Sequence, residues 1–162
     1  MDHMLEAITV HIEKSSSLEG PSKAKHLLKA GVYQRIVQQL EQSAETLTTA
    51  FNLFKESGSM DEAQITKLRL ATTLAWQEKY TKSDDYYKKE IKRLEGAKDP
   101  KKQKLLAYAL ENLAKSKFRR NFYKEALDLF LEAHEVLMLI GRVEEMGKVN
   151  DYILKTRENL ED

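Results

Sequence analysis

The chain has no cysteine among its 162 residues, so disulfides, thiolate metal sites and a cysteine nucleophile are excluded. Only two prolines occur, Pro21 and Pro100, and both stand in polar punctuation rather than in periodic stretches. The six glycines form no GxGxxG or Walker-type loop, which removes a backbone cradle for phosphates. Four histidines are present, His3, His11, His26 and His134, with no i, i+4 pair and no HExxH motif. Nothing in the sequence assembles a catalytic set, a metal site or a cofactor site, so a non-catalytic role is expected. No apolar run approaches the ~20 residues that a membrane helix requires. A signal-peptide core is also missing, so a cytoplasmic protein without membrane insertion is expected.

Charge is abundant, at 33% of residues against 41% apolar, a balance suited to helices with narrow buried stripes and broad solvated faces. The net charge of +1 conceals an uneven distribution. Residues 61–124 carry 17 basic and 9 acidic side chains, a net +8, whereas residues 125–162 carry 4 basic and 10 acidic, a net −6. A basic middle favours an acidic partner. Nucleic acid fits less well, because aromatic stacking residues are scarce among the lysines and arginines.

Helical periodicity runs through every segment between the polar breaks, and no segment alternates as a strand would; the chain reads as all-α. The breaks are "SSSLEGPS" (15–22), "GSMDEA" (58–63), "EGAKDPKKQK" (95–104) and "GR" (141–142). Ser22 reads as an N-cap. In "NFYKEALDLFLEAHEVL" (121–137), Ala126, Phe130, Ala133 and Leu137 share one helical face. The segment 40–58 aligns with 123–141, pairing Ser43 with Ala126, Leu47 with Phe130, Ala50 with Ala133, Phe54 with Leu137 and Gly58 with Gly141. Ser83 and Tyr87 take the equivalent places in 80–91, with Glu90 where the last small residue belongs. Twelve residues before Ser43, Ser83 and Ala126 stand Gly31, Ala71 and Ala114, again small. The spacing of 40 and then 43 residues, two helices per unit, is that of a helical repeat array. No turn former stands near Gln38–Gln39, so the first unit reads either as a hairpin or as one long helix.

The run "NLAKSKFRRNFYKEALDLFLEA" (112–133) resembles a tetratricopeptide repeat. Leu113 and Ala114 stand at its Leu–Gly/Ala pair, Tyr123 at the aromatic before the second helix, and Ala126, Phe130 and Ala133 at its small–aromatic–small triplet. Repeats of about 40 residues resemble the longer subclass found in cytoskeletal and signalling scaffolds. The resemblance implies an α-solenoid. It would hold an N-terminal helix and linker (1–20), three helix pairs (21–58, 59–97 and 100–142) and a C-terminal capping helix (143–162). The first helix of each pair then lines a concave groove that binds a peptide of a partner protein. Its exposed positions would be Lys25, Lys29 and Arg35, then Arg69, Thr72 and Trp76, then Tyr108, Asn112, Lys115 and Arg119. The peptide-binding set is Lys29, Arg69, Thr72, Trp76, Tyr108, Asn112, Lys115 and Arg119. Basic side chains grip carboxylates and an Asn can bond a peptide backbone, so an acidic segment suits this adaptor.

Residues 103–162 also resemble a microtubule-interacting-and-trafficking domain, which implies capture of amphipathic helices of membrane-remodelling proteins. A purely structural, self-associating array is the third reading. Leu5, Ile8 and Ile12 form a stripe on an N-terminal helix tethered by serines 15–18. The expectation is therefore a monomer with weak dimerisation through residues 4–40.

Overall fold

The computed structural model describes residues 1–161, which form eight α-helices and no strand. These are α1 (Asp2–Ser16), α2 (Gly20–Ile36), α3 (Leu40–Glu56), α4 (Met60–Trp76), α5 (Tyr80–Leu94), α6 (Pro100–Arg119), α7 (Tyr123–Leu139) and α8 (Val143–Glu161). The chain divides into two compact units, one ending at Tyr86 and the other beginning at Tyr87, with the boundary inside α5. In the first unit α1 packs on α2, α2 on α3 and α3 on α4; in the second α6 packs on α7 and α7 on α8. Neighbours joined by such short turns run antiparallel. The fold is all-α, and within each unit consecutive antiparallel helices stack in the manner of an α-solenoid.

The first repeat unit is a hairpin. Gln38 adopts a left-handed conformation (φ 66°) between α2 and α3, as do Glu78 (61°) between α4 and α5 and Asn121 (63°) between α6 and α7. Each turn closes with the same two bonds. The amide of Gln38 donates to the Arg35 carbonyl at 3.0 Å and that of Gln39 to the Gln34 carbonyl at 2.8 Å. The pairs Glu78–Ala75 with Lys79–Leu74, and Asn121–Phe118 with Phe122–Lys117, repeat this pattern. It is the Schellman arrangement, which satisfies carbonyls left open at a helix end. A non-glycine residue in this conformation is strained by about 1–2 kcal/mol, so packing of the two helices must hold Gln38 there.

At the N-terminus two expectations are corrected. α2 begins at Gly20 with Glu19 as N-cap and Pro21 in its first turn, so Ser22 lies inside the helix. Proline fits there because its missing N–H would have had no helical partner. The serines 15–16 belong to α1, where Ser15 is buried and its hydroxyl donates to the Ile12 carbonyl at 2.7 Å. Of the stripe Leu5, Ile8 and Ile12, only Ile8 is buried. α1 is held to α2 by a further contact, His11 Nδ1 to His26 Nδ1 at 2.9 Å.

The small-residue columns are the helix crossings. Gly31 lies so close to α3 that a Cβ there would sit 2.6 Å from Leu47 Cγ. The Ser43 hydroxyl donates to the Gly31 carbonyl at 2.7 Å, and the Ser83 hydroxyl donates to the Ala71 carbonyl at 2.8 Å. The twelve-residue offset in the sequence is therefore a direct contact between paired helices. Ala71, Ala114, Ala126 and Ala133 are fully buried, as are Phe54, Phe130 and Leu47. Burying each of the large side chains contributes roughly 1.5–3 kcal/mol. Glu90 occupies a small-residue position and is buried; its carboxylate receives the Arg93 guanidinium at 2.9 Å. In α8, Val149 and Ile153 are buried, and Tyr152 stacks on Phe130 with ring centroids 5.1 Å apart.

Candidate functional site

In the first unit the structure gathers part of the expected set near the C-terminal ends of α2 and α4. Arg35 Nη1 donates to the Arg69 carbonyl at 3.1 Å, and the Arg35 guanidinium lies 5.8 Å from the centre of the Trp76 ring. Trp76 is 39% exposed, so its ring borders solvent beside a cation. Lys25 and Lys29 are exposed on α2, and Arg69 is half-buried. Two positions expected at the surface lie inside. Arg35 is 7% exposed and Thr72 is 5% exposed, with the Thr72 hydroxyl donating to the Leu68 carbonyl of its own helix at 3.0 Å. The whole run Leu70–Ala75 is buried, because α3 covers one side of α4 and the Ser83 turn of α5 another. A periodicity of polar residues cannot reveal that both flanks of a helix are covered.

In the second unit Tyr108, Asn112, Lys115 and Arg119 fall along one face of α6. Asn112 spends its amide on the Tyr108 carbonyl, at 2.8 Å. Lys115 pairs with Glu111 at 2.7 Å and stands 5.1 Å from the centre of the Tyr152 ring of α8. Tyr152 also meets the edge of Phe118 at 6.2 Å, so α8 reaches over part of this face. Arg119 alone of the four is exposed.

A cleft that sequence reasoning did not name lies in the second unit. It encloses about 510 Å³ between the C-terminal half of α5, α6 and α7. Its floor is apolar, built from Ile91, Leu110, Leu113 and Leu129. Lys88 and Lys92 line the α5 wall, while Glu125, Asp128 and Glu132 line the α7 wall. Glu95 also borders it.

The two ends of the acidic wall differ electrostatically. Lys117, only 8% exposed, places its ammonium 2.7 Å from Glu125. That hydrogen bond, with the charge behind it, holds the Glu125 carboxyl below its ordinary range. Glu132 is pushed the other way, by partial burial first and then by Glu95, Asp128 and Glu135. The signal in the sequence was the spacing of Glu125, Asp128 and Glu132 at i, i+3 and i+7 beside the buried stripe of α7. Read alone, such a run is an ordinary solvated face. Only the position of α5 turns it into a wall.

A repeat-related cleft of about 420 Å³ lies in the first unit between α3, α4 and the start of α5. Leu70 and Leu74 form its floor, but its walls carry Thr48, Thr49 and Glu45 facing Lys79 and Lys82. Among the described residues no three His, Asp or Glu side chains converge to hold a metal. No helix there is long and apolar enough to cross a membrane. No family model matches the chain, and no curated protein or solved structure is significantly similar to it.

Proposed function

We propose that the protein is a non-catalytic interaction module that holds a segment of a partner protein. The observation that carries this reading is the cleft of the second unit, an apolar floor between charged walls. Leucine and isoleucine side chains at the base of an open cleft favour an apolar anchor, and charged rims orient what enters. The tetratricopeptide-like residue columns support the same class of function, since stacked helix pairs present extended surfaces. The test is a display selection of random peptides on the wild type and on Leu129→Lys, a substitution at a half-buried floor position. Peptides enriched on the wild type and lost on a still-helical variant support the cleft. Equal binding to both, or no enrichment, overturns it.

The exposed Trp76 ring beside the Arg35 guanidinium favours a second reading, an acidic segment bound at the first unit. Arg69→Glu should then weaken capture of a carboxylate-rich peptide, and unchanged capture removes this surface.

A further inference from the structure

Resting on the cleft reading, we infer that the second unit takes an amphipathic helix of a partner protein with one cationic and one anionic flank. The cationic flank lies along Glu125, Asp128 and Glu132 of α7, and the anionic flank along Lys88 and Lys92 of α5.

Three observations lead there. The first is the nature of the walls. All three are helices, whose backbone groups bond within themselves, so no sheet edge is available to an extended peptide. A strand laid on Leu110, Leu113 and Ile91 would leave its own N–H and C=O groups without partners against apolar carbon. A helix satisfies its backbone internally and presents only side chains. The second is length. The lining of α7 runs from Glu125 to Glu132, and the facing wall runs from Lys88 of α5 to Glu95 just past its end, about 10 Å each at the helical rise. That is two turns, matching anchors at i, i+3 or i+4, and i+7.

The third is charge. Lys117 compensates Glu125, but Glu132 faces Glu95, Asp128 and Glu135 while partly desolvated. An arriving lysine or arginine supplies the counter-charge which that end of the wall lacks. Across the floor, Lys88 and Lys92 repel the same cation and attract a carboxylate. Turning a bound helix end for end exchanges its flanks, so walls of opposite sign also impose one direction on it. Neither a nucleic acid nor an anionic lipid surface suits a cleft with three carboxylates along one side.

Fluorescence anisotropy with two labelled helix-forming peptides of about five turns tests this. Both carry the same leucine face; one has lysines on one flank and glutamates on the other, the second has glutamates on both. The bipolar peptide should bind the wild type at least about tenfold more tightly, since like charges across an interface are strongly disfavoured. In Asp128→Lys/Glu132→Lys, both exposed positions, the preference should reverse. Equal binding of the two peptides to both proteins overturns the assignment of flanks and leaves the cleft reading standing. Failure of both peptides to bind the wild type overturns the cleft reading itself. A doubling of mass by light scattering that the double variant abolishes would make a second copy of this chain the occupant, and overturn the partner.

Discussion

Gly31→Ala tests whether α2 and α3 cross as closely as the structure shows. In isolation the substitution favours the helix by about 0.8–1.0 kcal/mol, because alanine loses less backbone entropy. Here the new methyl would meet Leu47 Cγ at 2.6 Å and Cδ2 at 2.7 Å, well inside the roughly 3.5–4.0 Å at which carbons attract. Leu47 cannot swing clear, since it is fully buried against Leu70 and Leu74. Overpacking of this kind destabilises by about 1–3 kcal/mol, so against that gain it leaves a net loss of up to about 2 kcal/mol. Leu47→Ala alone should be worse, at about 2–5 kcal/mol, through the cavity it leaves. In that background the clash is gone and Gly31→Ala should stabilise by about 1 kcal/mol. Urea unfolding followed by far-UV circular dichroism on the four proteins gives the coupling, expected near the full steric cost of about 1–3 kcal/mol. A Gly31→Ala effect of the same sign and size in both backgrounds would refute the close crossing.

Three further outcomes are expected. Glu132→Gln should raise the unfolding midpoint near pH 7, because ionising a carboxyl whose folded pKa is raised weakens the fold; the gain should vanish as pH falls below the ordinary carboxylate value of 4.5. A pH-independent gain would show that neither the partial burial of Glu132 nor repulsion from Glu95, Asp128 and Glu135 is the cause. His11 is depressed below 6.5 by burial, then by His26, Lys29 and Lys14, so the unfolded chain takes the proton first. Stability should be full above that value and fall as pH drops through it, and His11→Asn, whose amide stands where the ring Nδ1 does, should flatten the curve; parallel curves would contradict this. Gln38→Gly should raise stability by roughly 0.5–1 kcal/mol by relieving the left-handed turn, and a loss on urea titration would mean the Gln38 side chain contributes more than its backbone strain takes away.

The local facts of this protein were legible in its residues. Helical periodicity, the alanine and serine columns and the small residues twelve positions earlier arise from neighbours along one helix or across one hairpin. The contacts of Ser43 with Gly31 and of Ser83 with Ala71 realise that offset directly. The turn at Gln38 was not legible, because no residue type there announces a left-handed conformation and packing imposes it. Neither was the burial of Thr72 and Arg35, since a polar side chain does not record that another helix covers its flank. The cleft lay furthest from view. Lys88 and Lys92 precede Glu125, Asp128 and Glu132 by more than thirty residues, and in sequence each group reads as a solvated helix face. Their opposition across Leu110 and Leu113 exists only because α5 and α7 flank the same side of α6. Such a distance is decided by packing alone.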